Sequence, residues 1–282
     1  MARLQAALAL LTAIATAACA RPHARAPTWR EPATGMEFVL LGPGRFRMGS
    51  EAGEPGRQPD ETPHEVLLSR AFYLGRHEVT QGEWQAIMGA NPSHFASCGP
   101  RCPVESVSYQ DVQAFIGRLA ERSPGSRFRL PTEAEWEYAC RAGSTTPFAT
   151  GNNLTTRQAN YDGNYPYDGA AAGSYLGRPA PVGSYPANRW GLYDLHGNVW
   201  EWCEDWYGDY PAGPVTDPRT GRAGAREVWD ARGPAWGRKR VIRGGSWYFD
   251  ANSCRCALRY THEPRDKGFS LGFRLVREEA GR

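Results

Sequence analysis

Apolar positions fall into helical register at only three places along the chain. Thr80 followed by Glu83 forms a capping box and predicts a helix over Gln81–Met88. Ser108 with Asp111 opens a second, in which Val112, Phe115, Ile116 and Leu119 share one face at helical spacing. Thr132 with Glu135 opens a third, which turns Trp136, Ala139 and Cys140 inward and stops at Gly143. Short β-rich runs at residues 37–41, 66–69, 240–243 and 272–276 read as strands. Residues 143–238 carry mostly Gly, Pro, Asn, Tyr and Trp, with no convincing periodic element. Irregular stretches of that length inside a compact domain are usually functional or held by a disulfide, an ion or a ligand.

Composition agrees with a turn-rich chain. Among 282 residues there are 32 Gly, 22 Pro and 10 Trp. Gly and Pro together make roughly a fifth, against about 12% in ordinary domains. The core must then rest on large aromatics. No repeat or low-complexity linker divides the mature chain, so one domain is expected. Lys plus Arg number 33 against 30 acidic residues, a net charge of +3. That balance gives no footprint for nucleic acid. Lys239 and Lys267 are the only lysines, so nearly all positive charge is arginine.

The N-terminus carries a different signal. Arg3 precedes an Ala- and Leu-rich run over residues 4–18, too short to span a bilayer and suited to a secretory signal. Thr16-Ala17-Ala18-Cys19 resembles a lipoprotein cleavage box, with Cys19 as the lipidated residue; plain cleavage near Ala17 or Ala20 is the alternative. Residues 1–19 are therefore assigned as signal peptide, 20–35 as a polar tether and 36–278 as the folded domain. The expected location is exported, either periplasmic or membrane-anchored, with membrane contact only through Cys19. Export places the remaining six cysteines in an oxidising compartment. Cys98 and Cys102 flank Gly-Pro-Arg and could close a small loop. Cys254 and Cys256 are unsuited to pairing with each other on an extended strand, and no paired Cys-x-x-Cys set points to a metal.

A set of ordered motifs carries a family resemblance: Gly44-Arg45-Phe46-Arg47-Met48-Gly49-Ser50, His77-Glu78-Val79-Thr80, Arg129-Leu130-Pro131-Thr132-Glu133-Ala134-Glu135-Trp136-Glu137-Tyr138, Gly191-Leu192-Tyr193-Asp194, Gly197-Asn198-Val199-Trp200-Glu201-Trp202, Arg243-Gly244-Gly245-Ser246-Trp247 and Gly272-Phe273-Arg274. Over residues 36–277 the chain resembles the formylglycine-generating-enzyme, or sulfatase-modifying-factor, superfamily. The resemblance implies an α+β, C-type-lectin-like fold with few regular elements and long loops. Founding members oxidise a sulfatase cysteine with copper held by two cysteines, other members use non-haem iron, a periplasmic branch matures the pyoverdine chromophore, and others only bind.

The residues after Ser246 set the expectation among these. Phe249 stands where the founding enzymes place the first copper cysteine, so no copper is expected. By resemblance Cys140 pairs with Cys256, which leaves Cys203 and Cys254 as a third bridge. The iron-type helical domain is lacking, and His23, His64, His77, His94, His196 and His262 show no metal-binding spacing. Carboxylates at Asp194 and Glu201 bracket a Gly-containing turn, an oxygen-rich arrangement suited to Ca²⁺. The resemblance implies a structural calcium on the Asp194 and Glu201 side chains and the Gly197 and Val199 carbonyls, and a second on Asn160 and Tyr161. Trp200 and Ser246 match residues lining the oxygen pocket. Arg243, Arg259 and His262 lie in segments that shape the cleft, where guanidinium groups suit an anionic or carbonyl-bearing substrate, and Glu263 is the acid/base candidate. The expected role is an oxidoreductase or maturation enzyme acting on a secreted metabolite or peptide, with a non-catalytic lectin-like binding module as the alternative and sulfatase cysteine-to-formylglycine oxidation after it.

Overall fold

A computed structural model of the chain describes residues 26–219 and 239–278. The signal segment and Cys19 lie outside the described residues. In chain order the elements are β1 (Thr28–Arg30), β2 (Glu37–Leu41), β3 (Gly44–Met48), β4 (His64–Leu68), β5 (Phe72–Gly75), α1 (Gln81–Met88), α2 (Tyr109–Arg122), β6 (Phe128–Arg129), α3 (Glu133–Arg141), β7 (Trp200–Trp206), β8 (Val215–Thr216), β9 (Arg240–Arg243), β10 (Tyr260–His262), β11 (Leu271–Gly272) and β12 (Val276–Glu278).

All three helices start where the capping boxes place them, each with the reciprocal side-chain and backbone hydrogen bonds at Thr80/Glu83, Ser108/Asp111 and Thr132/Glu135. Helix α2 buries Val112, Phe115, Ile116 and Leu119 as the spacing predicts, each worth about 1.5–3 kcal/mol. Phe115 meets Trp84 of α1 in a stacked pair 5.1 Å apart and Phe273 edge-on at 5.5 Å.

The strands form three sheets, ordered β1-β2-β5-β12-β6, β10-β9-β7-β11 and β3-β4-β8. In the first, β12 lies antiparallel to both β5 and β6, so the last described strand closes on the first half of the chain. In the second, β7 lies at the centre, antiparallel to β9 and parallel to β11.

Several expectations are corrected here. The tether does not run to residue 35: Thr28–Arg30 pairs with β2, and Glu31 is fully buried, accepting the Ala33 and Thr34 N–H groups. The region 143–238 does hold strands, β7 and β8. Strand β7 escapes a hydrophobicity reading because its inward carboxylates, Glu201 and Asp205, are buried against matching donors. The run 272–276 is not one strand. Phe273, Arg274 and Leu275 separate β11 from β12, and the Arg274 guanidinium turns into the core.

Two disulfides are present, Cys98–Cys102 and Cys140–Cys256. The third expected bridge is not. Cys203 and Cys254 are free and buried, because β7 places Cys203 in the cluster around Trp136 while Cys254 packs with Phe148, Leu154 and Tyr161. The loop-entropy argument makes the two bridges unequal, since their sequence separations are 116 and 4. Replacing Cys140 and Cys256 by Ala is expected to cost roughly 5 kcal/mol in urea unfolding, and replacing Cys98 and Cys102 roughly 2. Thiol titration of a form beginning at Arg21 is expected to find none reactive in the folded protein. After denaturation without reductant it is expected to find Cys203 and Cys254; a disulfide between them would leave no thiol to titrate.

Candidate functional site

The Arg243-Gly244-Gly245-Ser246-Trp247 segment leaves β9 and crosses the core before it reaches the surface. Gly245, at φ 74°, makes that crossing possible: a Cβ there would sit 2.6 Å from the Cys254 sulfur. Ser246 is then fully buried, and its Oγ accepts the Tyr248 N–H at 3.3 Å.

Beyond Ser246 the side chains assemble into an aromatic face drawn from separate parts of the chain. Trp200 stacks on Tyr260 at 5.5 Å and meets Phe249 edge-on at 5.4 Å. Trp247 contacts Phe95, Phe269 and Tyr248 at 5.3, 5.7 and 5.3 Å, and Tyr175 lies near-parallel to it at 6.3 Å. Tyr175, Leu176, Tyr248, Tyr260 and Phe269 are exposed here; of the large exposed hydrophobics among the described residues, only Tyr165 is not in this group or next to it in sequence. Such a concentration marks an interaction site rather than ordinary surface. Beneath it the indole N–H groups of Trp200 and Trp247 are buried without a hydrogen-bond partner. Phe249 belongs to this packing. Cys254 lies inward of it, its thiol directed at the Asp250 carbonyl at 3.6 Å and its pKa pushed up by burial.

The structure moves two of the expected substrate-binding residues out of the cleft. Arg243 is fully buried and donates to Glu133 at 3.1 Å, to Glu137 at 2.6 Å and to the Ala257 and Cys256 carbonyls. Arg259 grips both oxygens of Glu133 at 2.7 and 3.0 Å and lies over the Tyr210 ring. Burial would raise the Glu133 pKa, but Arg259 and Arg243 outweigh it and hold the carboxyl below its usual value. These guanidinium groups are structural: both are buried and, apart from the Arg243 Nε–H, which has no partner among the described residues, their nitrogens donate within the protein. His262 and Glu263 stay at the rim, His262 half-buried and Glu263 exposed.

The expected calcium residues gather around a buried acidic cluster. Glu201 is chelated by Arg274 at 2.6 and 2.7 Å and accepts the Trp136 indole N–H at 2.8 Å. Asp194, at φ 57°, accepts the Gly183 N–H at 2.7 Å. Burial pushes its carboxyl up to about 6. Glu78 is a further member that spacing did not reveal; its only sequence signal was its place in His77-Glu78-Val79-Thr80. One of its oxygens accepts from Asn198 at 3.0 Å and the other is buried without a partner. Burial, and then the nearby Asp194 charge, drive its pKa well up. Three carboxylates thus lie near one guanidinium, though their oxygens do not all converge within 4.8 Å of one another. Asn160 donates to the Arg178 carbonyl and to the Asn198 side chain. Its carbonyl lies so close to Gly197 that a Cβ there would come within 2.2 Å. Tyr161 is buried beside it, its hydroxyl donating to the Leu154 carbonyl at 3.0 Å. Val199 and Gly197 lead directly into β7.

His196 is the remaining histidine of note. Its Nδ1 lies 2.8 Å from the Cys254 carbonyl, and Nε2 accepts the Ala149 N–H at 3.1 Å, so the ring is held as the neutral Nδ1–H tautomer. Burial pushes its pKa down to about 4. With Cys140 and Cys256 it forms the one group of three metal-binding side chains that converge within 4.8 Å among the described residues. Both sulfurs of that group are committed to the disulfide.

Comparison with known proteins completes the assignment. Residues 24–279 match the family described as the sulfatase-modifying factor enzyme 1-like domain. The formylglycine-generating enzyme of Streptomyces coelicolor is 30% identical, across 93% of this chain and 94% of its own length. The mouse enzyme is 34% identical over 77% of this chain, and serine/threonine-protein kinase pkn1 of Chlamydia caviae is 31% identical over 86%. The chain spans 57% of that mouse enzyme and 38% of that kinase. Among solved structures, PvdO from Pseudomonas aeruginosa superposes with a TM-score of 0.74 at 29% identity, covering 91% of this chain and 99% of PvdO. Treponema denticola variable protein 1 gives 0.67 at 29% identity, covering 90% and 99%. The sheet-rich α+β architecture is the C-type-lectin-like fold, and the chain belongs to the sulfatase-modifying-factor family of formylglycine-generating enzymes.

Proposed function

We propose that the protein is an exported maturation enzyme of this family that acts on a secreted metabolite or peptide at the aromatic face, without a copper dithiol. The observation that carries the reading is the packing of Phe249 between Trp200 and Tyr248, where the founding enzymes hold a metal thiolate. Linear Cu(I) ligation needs two soft sulfurs. Of the free cysteines, Cys254 is buried at the base of the face and Cys203 lies in a different cluster. Two disulfides are consistent with an oxidising compartment, as is the N-terminal apolar run ending at Cys19. The rim at residues 260–266 supplies groups able to move a proton.

A recognition role without chemistry is the second reading. The observation favouring it is the concentration of exposed aromatic side chains on one face. The likeness to Treponema denticola variable protein 1 is compatible with it.

Calcium fits the chemistry of the acidic cluster. Asp194 and Glu201, with the Gly197 and Val199 carbonyls, would hold the ion, while Glu78 adds negative charge nearby rather than a ligand atom. The Asn160 and Tyr161 pair would serve a second ion only by supplying its side-chain and carbonyl oxygens. When bound, the ion balances buried negative charge and fixes the loop leading into β7. The residues themselves orient Trp200, since Glu201 and Trp200 are neighbours on that strand.

Two assays separate the enzymatic readings. Loaded with Cu(I) and given a sulfatase peptide containing the target cysteine, the purified protein is expected to form no aldehyde. In a pyoverdine-producing strain lacking its maturation enzyme of this family, it is expected to restore chromophore fluorescence. Aldehyde formation would return the protein to sulfatase activation, and failure in both assays would favour the recognition role. Saturating calcium is expected to raise the melting temperature by roughly 5–10 °C over chelator. Asp194→Ala is expected to abolish that difference; equal melting of the native protein with and without calcium would refute the assignment.

A further inference from the structure

The turn after β10 holds an arrangement that the reading above leaves unused. His262 Nδ1 lies 2.9 Å from Asp266 Oδ2. The same oxygen accepts the Glu263 backbone N–H at 3.0 Å, and the Asp266 N–H returns to the Glu263 carbonyl at 2.9 Å. Asp266 is therefore anchored by the turn itself. As an acceptor it fixes the neutral imidazole as the Nδ1–H tautomer and leaves the lone pair on Nε2. Nε2 has no hydrogen-bond partner among the described residues and is not among the buried unsatisfied atoms. The ring is set in place by Trp202 at 6.3 Å and Tyr260 at 6.1 Å.

Its position ties it to the aromatic face. Tyr260 and His262 are two residues apart on β10 and so project to the same side of the strand. Tyr260 is the ring that covers Trp200. Glu263, the next residue, is exposed, and among the described residues its carboxylate has no hydrogen-bonded partner to orient it. Proton transfer favours a base whose direction is fixed by a second group.

We propose that His262 is the proton acceptor of the aromatic face, taking a proton on Nε2 from an O–H or N–H of a ligand laid against Tyr260, with Asp266 as its positioning residue. This rests on the face being the substrate site. The ligand's X–H bond breaks and its electron pair stays on X. The proton goes to Nε2, Asp266 stabilises the imidazolium, and water then receives the proton. The charged groups around the ring are mixed. Arg240 lies opposite His262 in the β10–β9 register and Lys239 acts on Asp266, while Asp266 and Glu263 carry the negative charge.

The test needs no identified substrate. The full, calcium-loaded protein is treated with diethyl pyrocarbonate at neutral pH, and carbethoxylation of each histidine is followed by peptide mass spectrometry. His262 is expected to react about fivefold faster than exposed His94, and Asp266→Asn to bring the two within about twofold. Asp266→Glu is expected to recover part of the advantage and Glu263→Gln to leave it intact. The proposal is overturned if His262 reacts no faster than His94, if Asp266→Asn changes nothing, or if Glu263→Gln removes the advantage equally. Should the native protein restore pyoverdine fluorescence, His262→Gln is expected to lose at least tenfold of it. Full activity in that variant would sink the base assignment while leaving the maturation reading standing.

Discussion

Buried arginine–carboxylate pairing is the constraint on which the rest of this structure depends. Arg243, Arg255, Arg259 and Arg274 all come from the last quarter of the sequence, and every one is essentially buried. Their partners come from earlier: Glu54 and Glu61 for Arg255, Glu133 for Arg243 and Arg259, Glu137 for Arg243, and Glu201 for Arg274. A single buried pair is weak evidence for stability, since desolvating both ions offsets much of their attraction. Here each guanidinium also satisfies backbone carbonyls of loops that no helix or sheet could pair, such as Ala257, Gly56, Gly208 and Tyr193. Arginine's fork of five donors does this and lysine's ammonium does not, which gives a physical reason for a chain with two lysines.

The aromatic face follows from that lattice. Arg243 holds the end of β9 against α3, and the Gly-Gly step then carries the chain over Trp136 and Cys254 to Ser246 and the exposed rings. Arg259 holds the start of β10, on which Tyr260 and His262 stand. The disulfide at Cys140 fastens the same helix to Cys256, between these two arginines. The face is thus irregular in conformation yet anchored at both ends, as a recognition surface needs to be. Phe249 completes it, packed between Trp200 and Tyr248.

The sequence made the helices legible because a capping box is a local device: Thr80, Ser108 and Thr132 each carry their partner three residues on. The Cys98–Cys102 loop was equally local. The family's motifs placed Cys140 opposite Cys256 and brought Asp194 and Glu201 into one acidic neighbourhood. What stayed hidden were residues whose meaning depends on a distant partner. Glu201 and Asp205 make β7 look too polar for a central strand, and only Arg274 and the Glu133 N–H reverse that judgement. Arg243 and Arg259 read as cleft residues because the segments that carry them shape the family's cleft, and nothing in the sequence shows their buried carboxylate partners. Cys203 and Cys254 read as a pair by elimination, and only the folded packing shows that they lie in different clusters. Glu78 gave no spacing signal at all, since its significance lies in an oxygen left without a donor.

Hydrogen exchange in Arg243→Met tests the central claim most directly. If the buried pairs hold the loops, exchange should accelerate in residues 244–250 and 256–262 while Tyr109–Arg122 keeps its protection. Unchanged protection in those loops, or an equal loss throughout the domain, would contradict the account and return the role of holding the face to general core packing.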